Sequence, residues 1–284
     1  MMIRLLCLLS IVFLSCNQGG GGGGNAPKEM EYSFACLDSN TVSGSPLSKR
    51  IGKAGDFLRE LAVDESEITD ELQNEYGAAF HKDAIETKTF RLLNDAAITN
   101  TLKSAMQELL AVREKPSGIK YEIYALEDTA INAFTFGGRI YVTRAMYNKC
   151  KDDKALLYAI IGHEIGHSEM GHIKRTIQEM MVSNKIFGEE SGTTVFQIKR
   201  LLTGSFNQKN ELEADYYGTD LTYRLDQDVC AAVAFWREMS EAENPYSQLE
   251  DFFRTHPFSD LRARCLETHI RTNFNRPCGG IEAR

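Results

Sequence analysis

The chain has 284 residues, of which 43% are hydrophobic and 25% are charged. This composition is typical of a globular protein and excludes a mainly disordered chain, a collagen and a polytopic membrane protein. The 40 acidic residues outnumber the 32 basic ones, giving a formal net charge of −8. That charge argues against a nucleic-acid partner, because proteins that bind nucleic acids usually carry a basic surface.

The first 15 residues have the pattern of an export signal. A single basic residue, Arg4, precedes the apolar run LLCLLSIVFLS, which falls short of the ~20 apolar residues that a membrane-spanning helix needs. The run ends in Ser15-Cys16, and a small residue before a cysteine at this place resembles a bacterial lipobox. The resemblance implies cleavage after residue 15 and lipidation of Cys16. The alternative is an ordinary secretory signal that happens to contain this cysteine.

Residues 16–29 are predicted to form a flexible tether behind the lipid anchor. Residues 19–24 are all glycine and offer no side chains to bury. Because the body is net negative, acyl chains rather than charge would hold it at a membrane. The predicted organisation is a signal peptide over 1–15, the tether over 16–29 and one domain over 30–284. It belongs to an exported lipoprotein that faces the periplasm, with the outer membrane preferred to the inner.

Cysteines in the predicted domain are few and scattered. An exported chain lies in an oxidising compartment, where disulfides can form, but spacing alone does not decide which residues pair. Because their number is odd, at least one thiol stays free or pairs between molecules. These residues are Cys36, Cys150, Cys230, Cys265 and Cys278.

The first half of the domain is predicted to be helical and then to contain strands. Apolar residues three and four apart favour helices over residues 47–114, which Pro116-Ser117-Gly118 ends. Alternating β-branched and aromatic residues predict a strand over 119–126. A second strand system, over 131–143, is predicted to turn at Gly137-Gly138.

The second half is predicted to be helical. One long helix is expected over residues 152–181, followed by a weakly patterned segment, 183–206, that is partly loop. Three further helices are predicted, over residues 210–225, 228–239 and 259–271. The residues from Pro277 to Gly280 end the ordered chain.

The strongest chemical signal is the HExxH motif that begins at His163 and ends at His167. Because residues four apart lie on the same face of a helix, the two imidazoles can hold one metal ion. Glu164 then projects beside the metal, where it can take a proton from an attacking water. The preceding run, ALLYAII, is apolar all round, as in a buried helix. The alternative, two histidines packed in the core without a metal, leaves polar groups unsatisfied.

A catalytic zinc usually has three protein ligands, so a third is required. His172 lies about 180° around a continuous helix from His163, which predicts a histidine on the surface or behind the ligands. His81 and His269 match no motif and are interpreted as structural. The third ligand must therefore come from another segment.

The acidic segment NELEAD, residues 210–215, is the candidate. Glu211 and Asp215 are four apart and share a helix face, whereas Glu213 points about 160–200° away from each. Glu211 can serve as a ligand, and Asp215 can accept the free N–H of a ligating imidazole. The alternative is a solvated acidic face.

Taken as a set, these motifs resemble the HtpX-type family of zinc endopeptidases. The matching residues are HEIGH at 163–167, ELEAD at 211–215 and His256-Pro257 with Arg262 behind it. The family includes the CAAX prenyl proteases, the Oma-type mitochondrial proteases and the exported BepA- and LoiP-like bacterial proteins. The resemblance covers about residues 95–270. It implies one Zn²⁺ per chain, bound by His163, His167 and Glu211.

Another stretch resembles the family's Asn-Ala…Pro-Gly-Gly segment and the strand after it. Here the residues read NAFTFGG and then RIYVTR, with Phe136 where proline is usual. The resemblance implies that an extended polypeptide adds to the edge of this strand through main-chain hydrogen bonds. The alternative is an ordinary hairpin of the core. The predicted substrate-binding residues are Gly137, Gly138, Arg139, Ile140, Tyr141 and Val142.

The family also places a histidine and an arginine near the metal, which match His256 and Arg262. A protonated imidazole or a guanidinium can stabilise the oxyanion that forms when a peptide carbonyl is attacked. Two alternatives stay open: a helix-start His-Pro without a chemical role, and a His256 that caps the open metal position in the resting enzyme.

These patterns predict an α+β fold, a mainly helical zincin domain of the gluzincin type with a small mixed β-sheet beside the HExxH helix. By resemblance, the predicted function is zinc-dependent endoproteolysis of misfolded or misassembled proteins in the bacterial cell envelope. The alternative is a chaperone-like binding or assembly lipoprotein with a latent or regulatory metal site. No apolar run of ~20 residues follows residue 15, so the predicted membrane contact is the N-terminal lipid anchor.

Overall fold

The computed structural model describes residues 30–37, 67–187, 207–241, 256 and 260–279. Contacts divide the chain into two units, Met1–Met30 and Glu31–Arg284, and every element named below belongs to the second. The predicted signal peptide, the lipidated Cys16 and the tether lie outside the described residues. Within the described ranges, no helix combines the length and the apolar character needed to cross a membrane.

Two helices precede the sheet. Helix α1, Asp70–Glu86, begins after Thr69, whose hydroxyl accepts a hydrogen bond from the third N–H of the helix. Helix α2, Ala96–Ala111, begins after Asp95, whose carboxylate accepts from two N–H groups. Such side chains satisfy N–H groups that have no partner inside the helix. The predicted helical region is confirmed over these two segments, while its residues 47–66 lie outside the described part.

The described residues form one three-stranded sheet with the strand order β1–β3–β2. Strand β1, Glu122–Leu126, runs parallel to β3, Arg139–Thr143, whereas β2, Ala133–Phe136, runs antiparallel to β3. The hairpin between β2 and β3 turns at Gly137-Gly138, which confirms the predicted turn. Both glycines have positive φ, 60° and 81°, a conformation that other residues adopt at a cost.

The strand that was expected to offer an edge is the central strand of the sheet. It pairs with β1 on one side and β2 on the other, so the edge prediction for this strand is wrong. In the described part of the chain, β1 and β2 are the two edge strands. An isolated bridge between Leu92 and Leu126 lies on the outer side of β1, and no described strand pairs with the outer side of β2. Gly137 and Gly138 form the turn, and the residues paired on both sides include Arg139, Ile140, Tyr141 and Val142.

The outward groups of β2 follow from the hairpin register. The N–H of Thr143 donates to the carbonyl of Asn132. Because hydrogen-bonded and non-bonded pairs alternate along antiparallel strands, the main-chain groups of Ala133 and Thr135 point away from β3. These are the groups that an added strand would meet.

Helix α4, Lys154–Glu169, lies at the centre of the core. A short helix, α3, Arg144–Cys150, connects β3 to α4. Asp153 caps the start of α4, because its side chain accepts a hydrogen bond from the N–H of Leu156. Every residue over 155–168 is buried, which confirms the buried helix predicted from the apolar run.

Helix α5, His172–Phe187, is separate from α4, so the prediction of one helix over 152–181 is wrong. The N–H of Met170 still donates to the carbonyl of Gly166, but Gly171 then adopts a φ of +76°. A left-handed glycine just past a helix is a common way to end it. Because α5 runs to Phe187, the start of the segment predicted as partly loop is helical, and residues 188–206 lie outside the described part.

Three helices complete the described architecture: α6, Gln208–Arg224, α7, Cys230–Glu241, and α8, Asp260–Phe274. They confirm the three helices predicted for this half of the chain. Together with the small mixed sheet, they also confirm the predicted α+β class, a mainly helical zincin-like domain.

Helices α4 and α6 touch through their backbones. A Cβ on Gly162 would lie 2.9 Å from the Cα of Gly218, and one on Gly166 would lie 2.8 Å from the carbonyl oxygen of Ala214. Real Cβ atoms do not approach that closely, so glycine is required on α4 for the contact. The contact brings the acidic segment of α6 against the HExxH residues of α4.

Two disulfides join distant segments. Cys36–Cys265 ties residues 31–37 to α8, and Cys230–Cys278 ties the start of α7 to the chain that follows α8. The described residues leave Cys150 as a free, buried thiol, in agreement with the odd count.

Candidate metal centre

Three predicted ligands meet between α4 and α6. The Nε2 atoms of His163 and His167 lie 3.0 Å apart. The carboxylate of Glu211 lies between the two rings. Its Oε2 is 3.4 Å from Nε2 of His163, and its Oε1 is 3.4 Å from Nε2 of His167. All three side chains are almost fully buried. Potential ligand atoms of these residues and of His256 lie within 4.8 Å of one another.

The chemistry of the cluster fits a metal ion. Oε1 of Glu211 is buried and finds no hydrogen-bond partner among the described residues, which is costly for a carboxylate unless something else coordinates it. Two imidazole nitrogens converge on the same position, and two neutral imidazoles with a carboxylate form a familiar set of metal ligands. The residues present could therefore hold a divalent cation.

Asp215 lies behind His163, as the helix spacing predicts. Its Oδ1 is 2.8 Å from Nδ1 of His163, the nitrogen turned away from the cluster. Burial opposes the ionisation of Asp215, but the charges of Arg262 and His163 prevail and lower its pKa. The carboxylate can therefore stay ionised and accept the Nδ1–H of the imidazole.

Arg262 contacts the carboxylates of the centre. Its Nε and Nη2 donate to Asp215 and its Nη1 donates to Glu211, and each donor–acceptor distance is 2.9 Å. The guanidinium carbon also lies 4.3 Å from the ring centroid of Trp236. The predicted role at an oxyanion does not match these contacts, because the guanidinium is directed at the side chains that support the ligands.

Glu164 is buried beside the ligands. Its Oε1 lies 3.4 Å from Nε2 of His256, and its Oε2 has no hydrogen-bond partner among the described residues. Burial raises the pKa of Glu164. A carboxylate in this state is a better proton acceptor than one in water, as a general base requires.

His256 belongs to the cluster itself. Its Nδ1 lies 3.1 Å from Oε2 of Glu211 and 3.2 Å from Nε2 of His163. Its Nε2 lies 3.0 Å from the carbonyl oxygen of Ala133, on the outward side of β2. The structure thus brings His256 as close to the ligand atoms as they are to one another.

The sequence left open whether His172 lies on the surface or behind the ligands. His172 is buried, so a place on the surface is wrong and a place behind the ligands is what the structure shows. Its Nδ1 lies 3.0 Å from Nδ1 of His167, and its Nε2 lies 2.9 Å from Oε2 of Glu213. The signal that could have indicated this was Gly171, a helix-ending residue just before His172.

The other two histidines lie away from the cluster and make structural contacts. His269 Nε2 is 2.8 Å from a carboxylate oxygen of Asp220, and Nδ1 of His81 is 3.1 Å from the hydroxyl of Tyr141. Neither residue reaches the residues of the metal centre.

The fold and the ligand set define a mainly helical zincin-type domain with a metal centre between two helices. Residues 96–270, more than half of the chain, match the model of peptidase family M48. The chain therefore belongs to peptidase family M48.

The chain is also similar to several characterised metalloproteases. The chain is 27% identical over 220 residues to the mitochondrial metalloendopeptidase OMA1 of Schizosaccharomyces pombe, covering 75% of this chain and 60% of that protein. It is 27% identical over 169 residues to the metalloprotease LoiP of Escherichia coli, covering 55% and 63%. It is 24% identical over 206 residues to the beta-barrel assembly-enhancing protease of Escherichia coli, covering 66% and 41%. The match thus spans less than two thirds of each relative's length.

Proposed function

We propose that this protein is a zinc-dependent endopeptidase of the bacterial cell envelope. The observation that carries the proposal is the convergence of His163, His167 and Glu211 on one buried position beside the carboxylate of Glu164. Two histidines and a glutamate are the ligands of catalytic zinc in several known peptidases. Membership of family M48 and the names of the relatives support the same reaction class.

The residues of the centre have separate tasks in this proposal. Bound zinc would lower the pKa of its water to about 7 and polarise the substrate carbonyl. Glu164 accepts a proton from the attacking water and delivers it to the leaving amine. Asp215 accepts the Nδ1–H of His163, which fixes the tautomer that leaves Nε2 free as a ligand.

We assign Arg262 a positioning role in place of the predicted oxyanion role. Its three hydrogen bonds fix Asp215 and one oxygen of Glu211 in a buried site, where both carboxylates would otherwise repel each other. Ionised Glu211 is the better ligand, and although burial opposes its charge, neighbouring positive charges that include Arg262 hold its pKa well below the usual range.

For His256, the distances favour the capping role over the oxyanion role. If Nε2–H donates to the carbonyl of Ala133, the lone pair of Nδ1 faces Glu211 and His163 at ligand spacing. His256 would then act as a fourth ligand in the resting protein and move aside when substrate enters. This arrangement also favours the second candidate function, a binding or assembly factor with a latent site.

The substrate is proposed to add to the outward edge of β2. The main-chain groups of Ala133 and Thr135 face this edge. The contact between His256 and the carbonyl of Ala133 supports a substrate position beside the candidate metal centre. Main-chain hydrogen bonds recognise an extended chain whatever its side chains are. Unfolded or misassembled envelope proteins are therefore the proposed substrates, and the name of the beta-barrel assembly-enhancing protease is in keeping with this class.

The proposed location is the envelope, with Cys16 lipidated and the domain facing the periplasm from the outer membrane more than from the inner. The signal-like residues 1–15 and the following glycine run support export and tethering. The disulfides Cys36–Cys265 and Cys230–Cys278 agree with an oxidising compartment.

Glu164→Gln provides the decisive experiment. Wild-type protein should cleave casein, stop when a chelator removes the metal and recover when zinc is restored. The glutamine variant should keep its zinc and lose cleavage, because an amide cannot accept the proton. Wild-type rates in a zinc-loaded variant would rule out Glu164 as the base. Zinc-loaded wild-type protein that binds unfolded casein without cutting it would favour the binding or assembly function.

A further inference from the structure

Each HExxH imidazole has one nitrogen in the ligand cluster and the other against a supporting group. For His163 the supporting group is the carboxylate of Asp215, at 2.8 Å from Nδ1. For His167 it is the imidazole of His172, at 3.0 Å from Nδ1. His172 in turn reaches Glu213, with 2.9 Å between Nε2 and Oε2. Each ligand thus has a supporting residue that is itself held by another, Asp215 by Arg262 and His172 by Glu213.

The break between α4 and α5 creates this contact. In a continuous helix, His172 would lie about 140° around the axis from His167 and could not meet its ring. Gly171 has a φ of +76° and α5 begins at the next residue, so the two histidines do not share one helical register and their rings meet in the interior. His172 is only 1% exposed as a result.

Ligation by His167 fixes every proton along this line. If Nε2 of His167 binds the metal as a neutral imidazole, its Nδ1 carries the hydrogen and donates to Nδ1 of His172. Nε2 of His172 must then carry its own hydrogen, which it donates to the carboxylate of Glu213. Lys209 lies 3.4 Å from the other oxygen of Glu213, which completes the pairing of that charge.

We propose that His172, held by Glu213, is a positioning residue for the metal ligand His167, in the way that Asp215 serves His163. Supporting partners of this kind orient the ligating ring, fix its tautomer and increase its basicity. This inference rests on the proposed metal function, because it concerns how tightly and in which geometry the same centre holds zinc.

The test measures zinc affinity directly, on the full chain stripped of metal, by competition with a chromophoric chelator. His172→Leu removes both ring nitrogens at similar volume and should weaken zinc binding about 10- to 100-fold. His172→Asn keeps an acceptor oxygen near the position of Nδ1 and should recover most of the affinity. The absorption spectrum of the cobalt-substituted protein should change in the leucine variant and resemble wild type in the asparagine variant.

His269→Leu is the matched control. His269 is also buried and also paired with a carboxylate, Asp220, but it does not touch the metal centre. This variant should lower the melting temperature and leave zinc affinity unchanged. If His172→Leu does not fold, Glu213→Ala serves as the second variant, since Glu213 is partly exposed, and should weaken zinc binding by a smaller factor.

Unchanged zinc affinity in His172→Leu, or in Glu213→Ala when the leucine variant does not fold, would overturn the inference. So would an asparagine variant as weak as the leucine variant, because the acceptor would then be irrelevant. Wild-type protein that neither binds zinc nor cleaves casein would instead refute the proposed function. The two failures are therefore distinguishable.

Discussion

Replacing Arg262 by methionine tests whether the guanidinium holds the carboxylates of the centre. The side chain is fully buried and makes three hydrogen bonds of 2.9 Å, two to Asp215 and one to Glu211. It also lies over the ring of Trp236. Methionine fills much of the same volume but supplies neither a charge nor a donor. The variant therefore leaves two buried carboxylates without their cation.

The structure sets the size of the effect. Removing one partner of a buried ion pair costs about 3–5 kcal/mol, because the remaining charge is uncompensated. His163 limits the loss in metal-free protein: burial opposes its charge, but Asp215 and Glu211 raise its pKa to about 10. We therefore expect a loss of about 3 kcal/mol in the free energy of unfolding, near the lower end of that range. A domain stable by ~5–15 kcal/mol would remain mostly folded.

Urea unfolding of metal-free protein with intact disulfides, followed by circular dichroism, measures this loss. Arg264→Met is the control, because Arg264 lies on the same helix and pairs with Asp260 on the surface. The control should change stability by less than about 0.5 kcal/mol. Arg262→Lys should lose less than the methionine variant, since it keeps the charge but cannot reproduce the guanidinium fork. An Arg262→Met variant within about 1 kcal/mol of wild type would refute the positioning role.

Other parts of the interpretation have their own tests. Glu211→Ala should lose most of its zinc because a ligand is removed, whereas Glu213→Ala should still purify with zinc; metal analysis of both variants decides. His256→Ala should raise casein cleavage because a fourth donor leaves the centre, and a fall in kcat of about 10²–10³ at constant KM would restore the oxyanion role. Cys16→Ser should abolish labelling by a fatty-acid analogue, and label that persists would exclude lipidation at this residue. Gly171→Ala should cost about 1–2 kcal/mol in urea unfolding because alanine disfavours the left-handed backbone, and Gly171→Asn should cost less; equal stability of wild type and both variants would contradict this.

The residues of the centre that share a helix could be predicted because helix geometry alone relates them. His163 and His167 are four apart on α4, and Glu211 and Asp215 are four apart on α6. The contact between α4 and α6 was harder to predict, because spacing within one helix does not show which other helix it packs against. Gly162 and Gly166 are also four apart and allow α6 to approach at backbone distance, so they were a signal for that contact.

The sheet shows a limit of a different kind. The turn at Gly137-Gly138 was predictable because few residues other than glycine adopt such φ values. The position of each strand within the sheet was not, because β2 and β3 are both mostly buried and both mainly apolar. Only pairing reveals that β3 is central and that β2 carries the open edge. The substrate is therefore proposed to bind at the neighbouring strand β2, at Ala133 and Thr135.

The wrong prediction of one continuous helix and the open choice between two places for His172 have a single cause. Apolar periodicity continues across Gly171, so the pattern favours one helix, and in one helix His172 turns away from His167. A left-handed conformation at this glycine interrupts the helix, and His172 contacts His167 instead of turning away from it. A Cβ added to Gly171 would have no atom within 4 Å, so a side chain would fit there. Glycine is favoured at this position because of its backbone conformation. The backbone conformation at Gly171 therefore determines whether His172 can contact His167 and support it as a ligand.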